Sequence, residues 1–345
     1  MSDVVPHKRA FSRTGRLRDL IASPKTITFT PNEKATIALS DGSSGFASCL
    51  GCHDAPCMEL SDTQLSLGGE LSAFPGDPSR DVCPSKAIDW DEAGEVPVIE
   101  EERCIGCGLC AARCPYGAIS LSEVGHAVVE ASDPSNITTV RKEAGSSHET
   151  AKRKGALGEH TQAFAQNLPE IVGNLNDTQT TRLTRNMFVA CGVATSMRRK
   201  GDTNIRMDGL ARFASDQIGV IELETSAAVL ESPRALLEDI AVLHGRFNVS
   251  LSEIVPISII GAFPNVRAEY YQVIHDIENV LNVKCKTMTL GAICMVMWNG
   301  GSFEELSDDL FTTVPGSTDL YPSLAKLVPS LSDAEPYPGA YRPTK

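Results

Sequence analysis

Along this chain the apolar and polar positions fall into readable patterns at only a few places before residue 160, and then almost continuously. Thr26-Ile-Thr-Phe-Thr30 alternates as a short strand does, and Arg16 to Ala22 suits one or two helical turns. Residues 1–40 read as an N-terminal extension. Val96-Pro-Val-Ile-Glu100 predicts a strand, closed by a turn at Glu101-Glu-Arg103. Between Met58 and Val82 the turn chemistry of Gly68-Gly69 and Pro75-Gly76-Asp77-Pro78 predicts a loop. Ser132 to Gly155 is polar with few apolar anchors and reads as a linker, within a joining segment 126–160.

From about Thr161 the periodicity is regular. Leu183 to Arg198 predicts a helix, Asn204 to Phe213 a strand, Ala214 to Gln217 a turn, and Ile218 to Glu224 the returning strand. Pro233 to Phe247 predicts a helix with Ser232 as its N-cap and proline at the first helical position. Ile254 to Gly261 predicts a buried strand and Val266 to Leu281 an amphipathic helix. Cys285 to Trp298 predicts one long strand or a strand pair. The last 45 residues, 301–345, hold six prolines and little periodicity, which predicts a surface-wrapping tail. An α/β domain over 161–300 follows from this order.

Charge changes the picture in one respect. Residues 41–123 carry 15 acidic and 4 basic side chains, a balance of −11 out of −13 for the chain, whereas residues 181–300 carry 12 of each. The acidity belongs to the first part, as in soluble electron carriers, and gives no support to a nucleic-acid surface there. No apolar run approaches the ~20 residues of a membrane span. The start, Met-Ser-Asp-Val-Val-Pro-His-Lys-Arg, lacks the apolar core of a signal peptide, so the cytoplasm is the expected location.

The candidate chemistry lies first in the cysteines, of which there are eleven. Cys104-Ile-Gly-Cys107-Gly-Leu-Cys110-Ala-Ala-Arg-Cys114-Pro115 has the spacing C-x2-C-x2-C-x3-C-P. Upstream, Cys49-x2-Cys52-x4-Cys57 supplies three more thiols and Cys83-Pro84 a fourth. The segments Cys83-Pro-Ser-Lys-Ala-Ile-Asp and Cys114-Pro-Tyr-Gly-Ala-Ile-Ser match, an internal repeat. A zinc ribbon would use C-x2-C pairs without this run. Over residues 41–125 the chain resembles the bacterial-type ferredoxins with two [4Fe–4S] clusters, an α+β fold. The resemblance implies that Cys49, Cys52, Cys57 and Cys114 hold one cluster. Cys83, Cys104, Cys107 and Cys110 would hold the other, because the last cysteine of each run crosses to its neighbour's cluster. The chain departs from the pattern in the four residues between Cys52 and Cys57 and in the insert 58–82, which is expected to shield the first cluster. Cys191, Cys285 and Cys294 stand in apolar contexts and read as buried hydrophobes.

A second constellation is acidic. With the hairpin turn near Ser215, residues whose numbers sum to about 430 face one another, so Asp208 pairs with Glu222, and Glu224 shares their face. Converging carboxylates repel and call for a cation, Mg²⁺ or Mn²⁺ for oxygen ligands. Over 181–300 the element order and these acids resemble the PD-(D/E)xK (restriction-endonuclease-like) proteins. That resemblance implies a mixed sheet, catalytic and metal-binding roles for Asp208, Glu222 and Glu224, and nucleic acid as partner. Glu224 stands where most members have lysine, with Arg206 or Arg198-Arg199-Lys200 as substitute sources of positive charge. His148, His160, His244 and His275 show no pair spacing.

Two functions follow. One is electron transfer or redox sensing by an iron–sulfur protein, with the C-terminal domain docking a redox partner protein or a substrate. The other is a metal-dependent nuclease, in DNA or RNA processing or defence, with the clusters structural or redox-sensing. No dinucleotide fingerprint is present.

Overall fold

A computed structural model describes residues 26–28, 36–38, 44–46, 55–91, 96–114, 119–121, 127–129, 168, 172–226, 229–306, 308–329, 331 and 341–343. The linker stretch Ser132 to Gly155 and the helical turns at Arg16 to Ala22 lie outside these residues, as do Cys49, Cys52, His148 and His160. The chain forms two compact units, one of residues 1–60 and 81–160, the other of residues 61–80 and 161–345.

The first unit contains an antiparallel sheet of β1 (Thr26–Thr28), β2 (Thr36–Ala38) and β3 (Ser44–Phe46). Two hairpins follow, β4 (Ile88–Asp91) with β5 (Val96–Ile99), and β6 (Ile119–Leu121) with β7 (Ala127–Val129). The sequence repeat has a structural counterpart here. β4 begins five residues after Cys83 (88 − 83) and β6 five residues after Cys114 (119 − 114). The expected strand at 96–100 and the turn at 101–103 both form.

The second unit is built on a five-stranded mixed sheet in the order β12-β11-β10-β9-β8. β8 (Ala194–Met197), β9 (Gly209–Arg212) and β10 (Ile218–Glu224) run antiparallel in turn. β11 (Ile254–Ile260) and β12 (Lys286–Thr289) continue parallel to β10. Every residue of β11 is buried, as a strand covered on both faces requires. The parallel crossovers are helices α4 (Ser232–Arg246) and α5 (Glu269–Leu281). α4 packs on β10, β11 and α5, placing Leu236, Ile240 and Leu243 against Leu210, Val220 and Ile254. α3 (Asp177–Ala190) packs on β8 and on α6 (Leu290–Trp298).

The structure departs from the expected elements in five places. The helix predicted to run to Arg198 stops at Ala190. Cys191 caps it, Gly192 takes φ +90°, and the chain turns into β8. The strand predicted from Asn204 begins only at Gly209. Ser232 is the first residue of α4 rather than its cap, and its hydroxyl bonds that of Ser258 at 2.6 Å. The run after Thr289 is a helix, not a strand. All nine residues of α6 are buried, and an element apolar on every side carries no periodicity by which to tell helix from strand. The described part of the tail contributes core: Phe303, Phe311, Leu320 and Leu324 are fully buried, Phe303 packs tilted against Phe188 and edge-on against Phe311, and Tyr321–Leu327 forms helix α7.

The insert is the largest difference. Residues 61–80 are not a loop on the cluster domain but part of the second unit. They form helix α1 (Asp62–Leu65) and a 3₁₀ turn, and Leu67, Leu71 and Phe74 join the core beneath α4. Beyond them, Asp77 N–H donates to Met197 O at 2.7 Å and Arg199 N–H to Pro75 O at 3.0 Å, so 75–77 extends the edge of β8. Gly76 is required there, because a Cβ would lie 2.0 Å from Ser196 Oγ. Asp77 then meets Arg182 at 2.9 Å, while Arg185, fully buried, donates to Asp77 O at 3.1 Å. Burial alone would raise the Asp77 carboxyl, but the Arg182 hydrogen bond, Ser79 N–H and the two guanidinium charges outweigh it and hold it below its ordinary value.

The placement of the insert yields a prediction. A protease site engineered between Ser132 and Gly155 would cut the chain into fragments that co-elute under native conditions, since the N-terminal piece carries Leu67, Leu71 and Phe74 of the second unit's core. The paired variant Phe74→Ala should weaken that association by about 3 kcal/mol. Fragments that separate freely on a sizing column would refute the assignment of 61–80.

Candidate functional site

The second cysteine run is a loop shaped by two glycines and followed by a short helix. Gly106 and Gly108 take φ of +66° and +74°, a conformation that side chains disfavour, and Gly108 starts the short helix α2 (Leu109–Ala112). Cys107 and Cys114 are buried, Cys104 and Cys110 half-buried. Cys83 comes from the other half of the repeat. Its Sγ accepts the Ala87 N–H at 3.2 Å and lies 3.4 Å from Ser85 Oγ. Burial pushes the Cys110 thiol well above its ordinary range, and the proximity of Cys107, Cys83 and Cys104 pushes it further. Cys83, Cys104 and Cys107, from two segments, thus lie within electrostatic range of Cys110. Thiols so crowded are relieved by a soft metal centre that takes them as thiolates.

Cys57, also buried, is the described member of the first run. Arg113, next to Cys114, donates from Nε to Pro56 O at 2.6 Å. Burial lowers its guanidinium to about 10, against the pull of the Cys57 charge. The structure therefore brings Cys83, Cys104, Cys107 and Cys110 together, and sets Arg113 beside Cys57. The donor set and the N–H···S bond suit an iron–sulfur cluster. Cys191, Cys285 and Cys294 are buried elsewhere, each thiol raised by burial, and Cys294 Sγ lies 3.2 Å from Met187 Sδ.

In the second unit β9 and β10 pair with the expected register: Ile218 faces Arg212 and Ile221 faces Gly209, so the numbers sum to 430. Asp208, just beyond β9, accepts the Leu223 N–H at 3.1 Å through Oδ2 and Arg198 at 3.1 Å through Oδ1. Glu222 is pushed up to about 8 by burial, then by Asp208, Asp239 and Glu224, with Arg198 opposing. Asp239 of α4 is pushed up to about 7, by burial and then by Asp208. Burial also raises Asp208 despite its two hydrogen bonds. Glu224 turns its Oε1 to the Ser226 N–H at 2.7 Å. Of the candidate cations, Arg198 joins the acids and Arg206 pairs with Glu238.

As the side chains stand, both oxygens of Asp208 are engaged by the protein's own donors, Leu223 N–H and Arg198. Asp239 escaped the sequence reasoning, though it carries a signal: it lies on the apolar stripe of α4 marked by Leu236, Ile240 and Leu243, where a carboxylate is out of place. Beside these acids opens a cleft of about 910 Å³, reached by Arg182, Arg198, Lys200, Thr181, Glu224 and Gly261 among others.

Residues 80–118 match the sequence family described as the 4Fe-4S dicluster domain. That match covers Cys83 and the whole second run, and leaves Cys49, Cys52 and Cys57 outside it. The chain is 32% identical over 97 residues to an uncharacterised ferredoxin of Methanocaldococcus jannaschii, covering 28% of this chain and 48% of that protein. It is 37% identical over 73 residues to the electron transport protein HydN of Escherichia coli, covering 21% and 28%. It is 26% identical over 99 residues to the formate dehydrogenase iron–sulfur subunit of Wolinella succinogenes, covering 27% and 38%. The chain spans less than half the length of each of these relatives. No solved structure matches it. The chain carries a ferredoxin-type iron–sulfur domain, and the family match gives no support to the nuclease resemblance. No helix among the described residues is long and apolar enough to cross a membrane.

The acid pocket sets a pH dependence. Unfolded, Glu222 and Asp239 ionise near 4.5 and 3.8; folded, near 8 and 7. The folded form holds more protons across that window, so the second unit loses stability as pH rises through it. The charges facing Glu222 are Asp208, Asp239, Glu224 and Arg198; those facing Asp239 are Asp208, Arg206, Glu238 and Arg198. Glu222→Gln should leave stability at pH 5 nearly unchanged and raise it at pH 8, by about 1–2 kcal/mol for a half-buried group. Thermal melts at the two pH values decide it, and a variant weaker than wild type at both would contradict the assignment.

Proposed function

We propose that this protein is an electron carrier with two [4Fe–4S] clusters, which exchanges electrons with a redox partner protein. The observation that carries the reading is the meeting of Cys83 with Cys104, Cys107 and Cys110, thiols from the two halves of a sequence repeat, inside a segment that matches the dicluster family. Those four would hold one cluster. Cys49, Cys52, Cys57 and Cys114 would hold the other, in keeping with the burial of Cys57 and Cys114 and with the bond from Arg113 to Pro56. The clusters supply one-electron chemistry when bound. The chain's own part is to exclude water from the sulfurs, to donate the Ala87 N–H to Cys83, and to set charge near each site.

Named relatives include an electron transport protein and a formate dehydrogenase iron–sulfur subunit, and they favour transfer over sensing. The second unit, with its cleft, would receive the partner or substrate that the electrons serve.

Anaerobically isolated protein should contain about eight irons and eight labile sulfides per chain. Cys83→Ser should abolish the low-temperature EPR signal of the second cluster, while Cys114→Ser should spare it and damage the first. Stoichiometric zinc without visible charge-transfer absorption would overturn the reading. A second measurement probes Arg113. Its charge stabilises electrons on the first cluster, so Arg113→Gln should lower that cluster's potential by about tens of millivolts and leave the other where it was. Equal shifts at both clusters would contradict the placement of Arg113.

A further inference from the structure

The acids of the second unit have a demand that their surroundings only partly meet. Asp208, Glu222 and Asp239 influence one another's ionisation, so three carboxyls share one small region. Asp239 is 1% exposed, and its Oδ2 has no hydrogen-bond partner among the described residues. A buried carboxyl oxygen without a donor is costly, and three carboxylates together call for positive charge.

Two guanidinium charges bear on these carboxyls: Arg206, already paired with Glu238, acts on Asp239, whereas Arg198 acts on Asp208, Glu222 and Asp239 alike. The Arg198 guanidinium does not hang free in the cleft but is held at several points. One terminal nitrogen donates to Asp202 O at 3.0 Å and Ile205 O at 3.3 Å, the other to Asp208 Oδ1 at 3.1 Å. The Arg198 backbone is fixed as well, its N–H donating to Asp208 O at 2.7 Å. Its flanks are paired to the insert, through Asp77 N–H to Met197 O and Arg199 N–H to Pro75 O. A fork so anchored presents a fixed positive charge at little further entropic cost.

We propose that Arg198 is the resident cation of this pocket, standing where a divalent ion would otherwise be drawn, so that the native protein takes no metal there. One guanidinium balances one of the three carboxylates. The other two remain tolerable because they hold protons near neutrality, as their raised ionisation ranges imply. A divalent ion entering the pocket would have to break the Arg198–Asp208 pair and then sit beside a fixed positive charge. Removing that charge should reverse the preference, leaving three carboxyls whose mutual repulsion a cation relieves. The inference concerns the acid pocket alone and stands or falls apart from the iron–sulfur assignment.

The test uses the full-length protein with its clusters, under anaerobic conditions, with Mn²⁺ as probe. Room-temperature EPR reads free Mn²⁺ and thermal melting reads stability. Wild-type protein should leave Mn²⁺ free and show no Mn²⁺-dependent melting shift. Arg198→Ala should melt lower than wild type, regain stability with Mn²⁺, and bind the ion about tenfold tighter or more. Adding Asp239→Asn to that variant should remove the gain. Arg198→Lys keeps a charge but loses the fork, so it should be weakened yet remain indifferent to Mn²⁺. Arg198→Gln, close in length to arginine, carries the same expectation as alanine if the smaller side chain fails to fold. The proposal is overturned if wild-type protein binds Mn²⁺ in a manner abolished by Asp208→Asn. It is equally overturned if a folded Arg198→Ala or Arg198→Gln shows no gain in Mn²⁺ binding.

Discussion

Like charges buried side by side must be compensated or neutralised, and that constraint shapes the second unit more than any single apolar contact. Two of the unit's carboxylates, Asp77 and Asp208, are paired with arginine, while Glu222 and Asp239 beside Asp208 are pushed toward the neutral form. Asp77 is gripped by Arg182 and Arg185, and Asp208 by Arg198. The two grips are adjacent, because the residues that carry Asp77 also pair with the backbone on either side of Arg198. Breaking one partner of such a pair leaves the other buried and uncompensated, which costs more than the pair contributes when intact. The edge of the sheet is therefore specified electrostatically, while its middle is specified by the aliphatic side chains of β10 and β11.

In the first unit the organising constraint is the thiols' need for a common centre. Left-handed backbone at Gly106 and Gly108 turns the second run around a point, and the repeat carries Cys83 to the same place. Among the described residues of this unit, Leu60, Val82, Leu109 and Ile119 are fully buried. Small domains of this kind lean on their metal ligation for stability.

How much of this was legible in the sequence follows from where the signals are local. The cysteine spacing, the Cys-Pro repeat and the hairpin register around Ser215 are short-range patterns, and Ile221 opposite Gly209 agrees with the last of them. Elements misread from the sequence are those in which tertiary burial erases periodicity. α6 is buried on all sides, and Phe303 and Phe311 anchor a segment whose prolines suggested a surface wrap. The insert was illegible for a different reason. Its glycines and prolines are true turn signals, yet Leu67, Leu71 and Phe74 find partners more than a hundred residues away, a pairing no local rule encodes. Asp239 sits between these cases, being visible as a polar intruder on an apolar stripe but not as a neighbour of Glu222.

The insert also bears on how the chain is made. Made before β9, β10 and α4, residues 61–80 must wait for those elements before their apolar side chains are covered. Closing so long a loop is slow, because its entropy is lost before the contacts that reward it exist. During that wait an apolar segment lies between Cys57 and Cys83, and the Glu59–Asp81 bridge closes its base. Synthesis therefore imposes an order in which the cysteines that precede the second unit are available before that unit can finish, and later-made strands complete a core begun by an earlier segment.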